Sequence, residues 1–569
     1  MKISIKYQYY IPLLVGVLLA ASCSKTLETE PKSVLTEANM YRNVYDADAA
    51  VIGLYGKFMN LAEPYVVLNE MRADLMTTTT NSNEYLKQLN EHSVKEDNPY
   101  ANPRPFYEVI LNCNDIMYNL DFMLRDKKLK VDEYNQRYSD VATLRCWVYL
   151  QLGIHFGKVP YVTNPLPTTA DVASITQMTF TPFAGLLDSL TKKMESLPYL
   201  QQYSTSTSLV TTVDAYATGK FFVNKQVLLG QLYLWRNDYN KAAVMFKKVM
   251  ETAGTGSLYN YRLTGASKGD NNDVAVGYYR YRELDENMLV NNNSQGWRSL
   301  FARSQDNLFN YEWVWFLPFD KSFNPTDPFI NLFSNRGGSY LAKPSQYAID
   351  STWNNQKQKN DFTYDARGKM FTWKSIDNQP VIMKYLYNFL DETSFLPVNV
   401  FQKSGKWFLY RAAALHLEYA EAINRDNHKS LAYALLNQGL TTIPNRITNE
   451  SAPYDFDSRK TDVPKVTGDW SLNSGIRGRA NLYSMPATIA AADSVIAIED
   501  ALITESGLEL AYEGKRWSDL LRIALRRNDP SYLADKIYKK LLGENNPQAA
   551  TVRTKLLDPA NWYLPFKLK

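Results

Sequence analysis

Apolar residues recur every three to four positions along much of this chain, and that spacing predicts helices. Residues 46–59 place Ala50, Leu54 and Phe58 four apart, with Ile52 and Tyr55 beside them. Helical patterning returns over 105–124 and 131–156, the second run stopped by Gly157 and Pro160. Near the C-terminus, a single helix over 503–522 would set Ile503, Gly507, Leu510, Gly514, Trp517 and Leu521 on one stripe, which continues to Ala524. Glu505, Glu509, Glu513 and Arg516 would line a second, polar face. Glycine costs about 1 kcal/mol inside a helix. Two glycines on a packing stripe therefore predict a neighbouring element that comes too close for a Cβ, with Trp517 filling the space beyond.

Two further segments share an internal ruler. Leu229, Gly230, Tyr233, Ala242 and Phe246 match the spacing of a tetratricopeptide helix pair, with Gln226 where that pattern has tryptophan. Ala420, Ile423, Ala432, Leu436 and Pro444 repeat it, and Ala420 to Ala432 spans the same offset as Gly230 to Ala242. Small residues sit where such helices cross, so both units predict a helical-pair scaffold. Between them, from about 253 to 405, glycine, asparagine and aromatic residues replace the long helical periodicity. Short strands are expected at 313–317 and 381–383. Trp313 and Trp315 alternate there and are assigned to the core. A loop-rich stretch of this length inside a helical protein points to function.

The N-terminus changes the picture of where the protein works. Lys2 and Lys6 precede an apolar run from Ile11 to Ala21, too short to span a bilayer and suited to a signal peptide over 1–22. It ends Leu19-Ala-Ala-Ser-Cys23, small residues before a cysteine expected to be lipidated, although the leucine stands one place further out than is usual. Residues 23–40 then read as a tether and 41–569 as one domain. Of the remaining cysteines, Cys113 and Cys146 could pair or stay as buried free thiols.

The net charge of +4, without a concentrated basic stripe, excludes a nucleic-acid partner. Carboxylates at Glu505, Glu509 and Glu513 could form a catalytic or metal cluster; the simpler expectation is an ion pair between Glu513 and Arg516. His92, His155, His416 and His428 lie scattered without metal-ligand spacing, and His416 reads as structural. Gly269 to Asp273 reads as a turn, since it lacks calcium-loop register. No phosphate loop, dinucleotide fingerprint or nucleophile elbow appears, so neither a cofactor nor catalysis is expected.

Aromatic residues are abundant, with 40 Tyr, 24 Phe and 11 Trp; some build the core, and so much tyrosine also suits a surface that stacks on sugar rings or contacts peptides. Three loops combine flat apolar faces with polar side chains, as sugar recognition requires. They hold Tyr85 and Tyr100 in a proline-punctuated loop over 85–107, Tyr278, Tyr279, Tyr281 and Trp297, and Phe323 beside Asn324.

The block Glu505-x-x-Leu-Glu-Leu-Ala-Tyr-Glu-Gly514-x-Arg-Trp-x-Asp-Leu-x-Arg522 closely resembles the C-terminal signature of the SusD/RagB family of nutrient-binding outer-membrane lipoproteins. Further blocks resemble the family at Leu27–Pro31 with Ala49–Tyr55, at Phe156–Pro160, at Leu332–Ser345 and at Gly475–Arg479. The resemblance implies a mainly α fold, SusD-like, built on tetratricopeptide-like helix pairs with a loop-rich ligand-binding insertion. It implies anchoring at the cell surface by lipidated Cys23 and a TonB-dependent (SusC-like) transporter as partner. Such a protein would capture oligosaccharide for uptake without catalysis. A peptide ligand within the same kind of uptake system, a tetratricopeptide adaptor and a hydrolase remain as alternatives.

Overall fold

The computed structural model describes residues 41–250 except 215, 298–302, 312–358, 363–437 except 392, 453–454, 475–480, 482–486 and 490–568. Cys23, the tether, the 269–273 turn and Tyr278, Tyr279, Tyr281 and Trp297 lie outside them.

Helix α1, Val44–Phe58, starts where the Asn43 side chain accepts from the free backbone N–H groups of Tyr45 and Asp46. It packs on α4, Arg104–Arg125, which pairs with α5, Val131–Phe156. A short helix α2, Ala62–Glu70, and strand β1, Met76–Thr78, lead to α3, Glu84–Asn90. Helix α5 is buried on nearly all sides from Ser139 to Phe156 and leans on α6, Phe183–Glu195.

The two predicted repeat units are helix pairs. The first is α7, Lys225–Trp235, with α8, Tyr239–Met250; the second is α10, Ala412–Arg425, with α11, Lys429–Leu436. Helix α8 packs directly on α10, so the two units stack although some 160 residues separate them. Gly230 explains the small-residue ruler: a Cβ there would stand 2.7 Å from the Phe246 ring. The crossing is that close because the residue is glycine.

Between the repeats, β4, Trp313–Phe319, and β8, Gly405–Arg411, pair antiparallel, with Gly405 opposite Phe319 and Arg411 opposite Trp313. Strands β6, Trp373–Ile376, and β7, Gln379–Ile382, form a hairpin; β5, Ala342–Pro344, pairs with β1. Among the described residues the strands make only two-stranded sheets. Trp313 and Trp315 belong to the core, as expected. Trp315 stacks on Phe58, 5.7 Å between rings, and Trp407 of β8 stacks on the same ring at 5.0 Å. The strand pair thus seats the insertion on α1.

The C-terminal helix differs from its sequence reading. It is two helices, α12, Ser494–Glu509, and α13, Arg516–Arg527, joined by a turn in which Tyr512 and Gly514 have φ of 69° and 81°. The single stripe therefore breaks after Glu509. Gly514 serves the left-handed turn and a close approach at once, since a Cβ there would lie 2.2 Å from Tyr65 of α2. Gly507 faces Arg516, whose Nη1 would stand 3.0 Å from a Cβ. Trp517 is buried, with the Arg72 guanidinium 4.0 Å above its ring. Helices α14, Pro530–Gly543, and α15, Ala549–Leu556, close the chain. Cys113 and Cys146 are buried free thiols, and burial pushes both upward in pKa.

Candidate functional site

The carboxylates of α12 were the first candidates for chemistry, and their surroundings account for them otherwise. Arg367 donates to Glu505 at 2.6 Å, to Glu509 at 2.7 Å and to Asp365 at 2.8 Å. Arg411, the last residue of β8, reaches Glu509 at 2.7 Å, Glu513 at 2.8 Å and Glu312 at 2.5 Å. Lys384 meets Glu513 at 2.6 Å, and Arg477 meets Glu505 at 2.8 Å. All these groups are buried. Burial works against ionisation of Glu513, but Arg411 and Lys384 outweigh it and hold the carboxyl below its ordinary value. The expected Glu513–Arg516 pair does not form. Arg516 instead binds Asp74 through two bonds of 2.6 and 2.8 Å. A left-handed turn at 512–514 swings Arg516 onto a new helix, which removes the i, i+3 geometry. The cluster is a structural lock that ties α12 to the insertion and α13 to the segment after α2. Among the described residues, no group of three or more His, Cys, Asp or Glu could hold a metal ion.

A different surface is exposed at the far end of the β4–β8 pair. Chain leaves β4 into the loop 320–327 and returns to β8 from the loop 391–404, so the antiparallel pairing brings both loops to one end. The Asp327 backbone N–H donates to the Lys403 carbonyl at 3.2 Å. Phe323 stands 73% exposed and Phe401 90%, joined by exposed Leu396, Val398 and Val400. Asparagines 324 and 399 and Gln402 lie among them and are also exposed. Large apolar side chains grouped this way on a monomer's surface mark an interaction site.

Local bonds hold the loops in shape. Asp391 Oδ1 accepts from the Thr393 and Ser394 backbone at 3.1 and 2.9 Å, and Asn399 Oδ1 accepts from the Phe401 N–H at 3.0 Å. Beneath them, burial pushes the Asp327 carboxyl up to about 7 and draws the Lys406 ammonium down to about 7, and each charge moderates the other's shift. Arg336 joins Asp377 at 2.7 Å and the Ser394 carbonyl at 2.7 Å, and Asn81 donates to the Ser339 carbonyl at 3.1 Å.

The structure therefore sorts the predicted aromatics. Phe323 sits in the exposed face. Tyr85 does not lie in a loop: it is on α3, which Asn83 caps through the Leu86 N–H, and is 37% exposed. Two residues before that cap, Asn81 donates to the Ser339 carbonyl. Tyr100, in a short 3-10 turn, is half-buried and donates to Glu63 at 2.7 Å, so its hydroxyl is already engaged. Sequence reasoning missed Phe401 and its neighbours. Their signal is visible afterwards: five large apolar residues crowd into 395–401, three of them, Leu396, Val398 and Val400, at strand spacing, among Ser, Pro and Asn.

Fold and face together describe a helical-pair protein that exposes apolar and amide side chains on loops at one end of a strand pair. The model of the SusD family matches residues 331–567, the stretch that carries the signature block, so this part of the chain is similar to the SusD/RagB family. A SusD-like protein P2 of Formosa agariphila is 23% identical over 248 residues, 42% of this chain; the match spans 45% of that protein's own length. In fold, a SusD superfamily protein from Bacteroides vulgatus superposes with a TM-score of 0.59 at 15% identity, covering 92% of this chain and 96% of the other. A SusD-like carbohydrate binding protein from Bacteroides fragilis gives 0.54 at 15% identity, covering 86% and 88%.

Proposed function

We propose that this chain is a lipid-anchored cell-surface protein that captures oligosaccharide on the 320–327 and 391–404 loops and passes it to a TonB-dependent outer-membrane transporter. The observation that carries the reading is the exposed face itself. Phe323 and Phe401 offer flat apolar surfaces for the C–H faces of sugar rings, and Asn324, Asn399 and Gln402 offer donors and acceptors for hydroxyls. The fold likeness to a carbohydrate binding protein of B. fragilis agrees with that chemistry. Tyr85 would extend the face; Tyr278, Tyr279, Tyr281 and Trp297, outside the described residues, are proposed to contribute from the same insertion. Anchoring is assigned to Cys23 and the tether 23–40, ahead of a single domain over 41–569. Among the described residues no helix is long and apolar enough to cross a membrane.

Calorimetric titration tests the reading with a panel of neutral oligosaccharides and a peptide mixture. Wild type is expected to bind a glycan, and Phe323→Ala with Phe401→Ala to lose roughly tenfold or more in affinity, the loss of two aromatic contacts. Binding of peptides alone would replace glycan with peptide as the cargo. Binding of neither would leave a protein-scaffolding role for the helix pairs. Product released on long incubation with polysaccharide would make the protein a hydrolase.

A further inference from the structure

A second opening lies away from the loop face, where α1 and α5 begin. It is a groove of about 620 Å³, within the range of roughly 300–1,000 Å³ that small-ligand sites occupy. Tyr45 of α1 and Tyr199 line it with Asp132, Gln136 and Arg137 of α5 and the hydroxyl-rich segment 204–208. None of these residues belongs to the loop face.

The walls are fixed. Arg137 is buried and donates Nε to Asp48 at 2.6 Å and Nη1 to the Glu133 carbonyl at 3.0 Å. Ser208 donates to the same Asp48, which ties the 204–208 segment to α1. Gln136 accepts from the Ser204 N–H at 3.4 Å, and the Tyr199 hydroxyl donates to the Gln202 carbonyl at 2.8 Å. Polar capacity is left over. Among the described residues, Arg137 Nη2, the Gln136 amide nitrogen and the Asp132 carboxylate make no hydrogen bond. Tyr45, 70% exposed, presents a free ring face.

That lining selects a ligand class. An anion would meet Asp132 and Glu133, while the lone arginine is already neutralised by Asp48. An apolar ligand would bury carboxylate and hydroxyl groups without partners, which is costly. A resident divalent metal lacks a set of three or more ligating side chains among the described residues. A neutral, polyhydroxylated ligand satisfies donors and acceptors together and stacks on tyrosine. We propose that this groove is a second saccharide-binding site, independent of the loop face. Two sites on one chain would raise the apparent affinity for a long polysaccharide above that for a short one.

The test uses the full chain with neutral trisaccharides: β-1,3-, β-1,4- and α-1,4-linked glucose trimers and a β-1,4-linked mannose trimer. Titration calorimetry would be run on wild type, on Tyr45→Ala with Asp132→Asn, and on Phe323→Ala with Phe401→Ala. Both altered pairs are exposed and should leave the melting temperature unchanged. The expected result is two equivalents bound to wild type. The groove pair should weaken one of them roughly tenfold, and hydrogen-exchange protection over 131–137 and 199–208 should vanish with it. Loss of binding in the groove pair with none in the loop pair would support the groove and remove the loop reading. A single equivalent, lost in the loop pair and untouched in the groove pair, would overturn the groove and leave the loop reading standing. No trimer bound by any variant would overturn both.

Discussion

Two regions of this protein concentrate side chains capable of chemistry or binding, and they dispose of them in opposite ways. At the α12–α13 turn, Glu505, Glu509 and Glu513 are met from inside by Arg367, Arg411, Lys384 and Arg477. At the ends of β4 and β8, Phe323 and Phe401 turn to water. The difference is energetic. A buried charge whose partner is removed cannot be resolvated, so each residue of the lock depends on residues far away in the chain. An exposed phenylalanine has no such dependence, and its replacement changes only what the surface can touch. The lock fixes the geometry that presents the loops; the loops are free to be fitted to a ligand.

Breaking the lock should produce the largest effect. Glu509 contacts both Arg367 and Arg411, so Glu509→Ala leaves two buried guanidinium groups short of a partner. The expected loss is about 3–5 kcal/mol of unfolding free energy, measured by urea denaturation. A loss below about 1 kcal/mol would mean that water or a rearranged carboxylate takes over, and the contrast between the two regions would fail.

A second test works through pH. Burial opposes ionisation of Glu421, but Arg522 and Arg526 overcome it and hold its carboxyl down to about 2. A carboxyl depressed on folding binds fewer protons in the native state than in the unfolded chain. Its stabilisation is therefore complete above the ordinary value of 4.5 and is lost as pH falls from there toward 2. The shift corresponds to about 3 kcal/mol. Melting temperature against pH should fall steeply over that window in wild type and less steeply in Glu421→Gln. Parallel curves would show that other carboxylates carry the acid sensitivity.

How much of this was legible beforehand follows the same division. The repeat ruler worked because Gly230 and Phe246 meet within one local helix pair, where spacing in sequence is spacing in space. The strand at Trp313 was readable for the same reason. The break at Tyr512 was not: Ile503 to Leu521 keeps helical period through the turn, and only the left-handed φ at Tyr512 and Gly514, stabilised by Tyr65 and by Glu70 accepting from the Gly514 and Lys515 N–H groups, ends the helix. The partners of the α12 carboxylates were equally hidden, because Arg367 and Arg411 stand about a hundred residues or more before them. In the loops, Phe323 was picked by its neighbours' chemistry. Phe401 was passed over because nothing in a linear reading says that 391–404 and 320–327 share one end of a strand pair.

The smallest expected effect is the one that sharpens the contrast most. Phe401 is 90% exposed, and its backbone N–H is held by Asn399 irrespective of the ring. Phe401→Ser should therefore change unfolding free energy by no more than about 0.5 kcal/mol, as exposed substitutions away from caps and pairs generally do. Urea denaturation of this variant beside Glu509→Ala places both regions on one scale. A loss of 2 kcal/mol or so at Phe401 would mean that the ring is packed in solution against the loop or a second copy of the chain. The apolar face would then be part of the fold's own stability, and its aromatic surface would not stand open for a ligand.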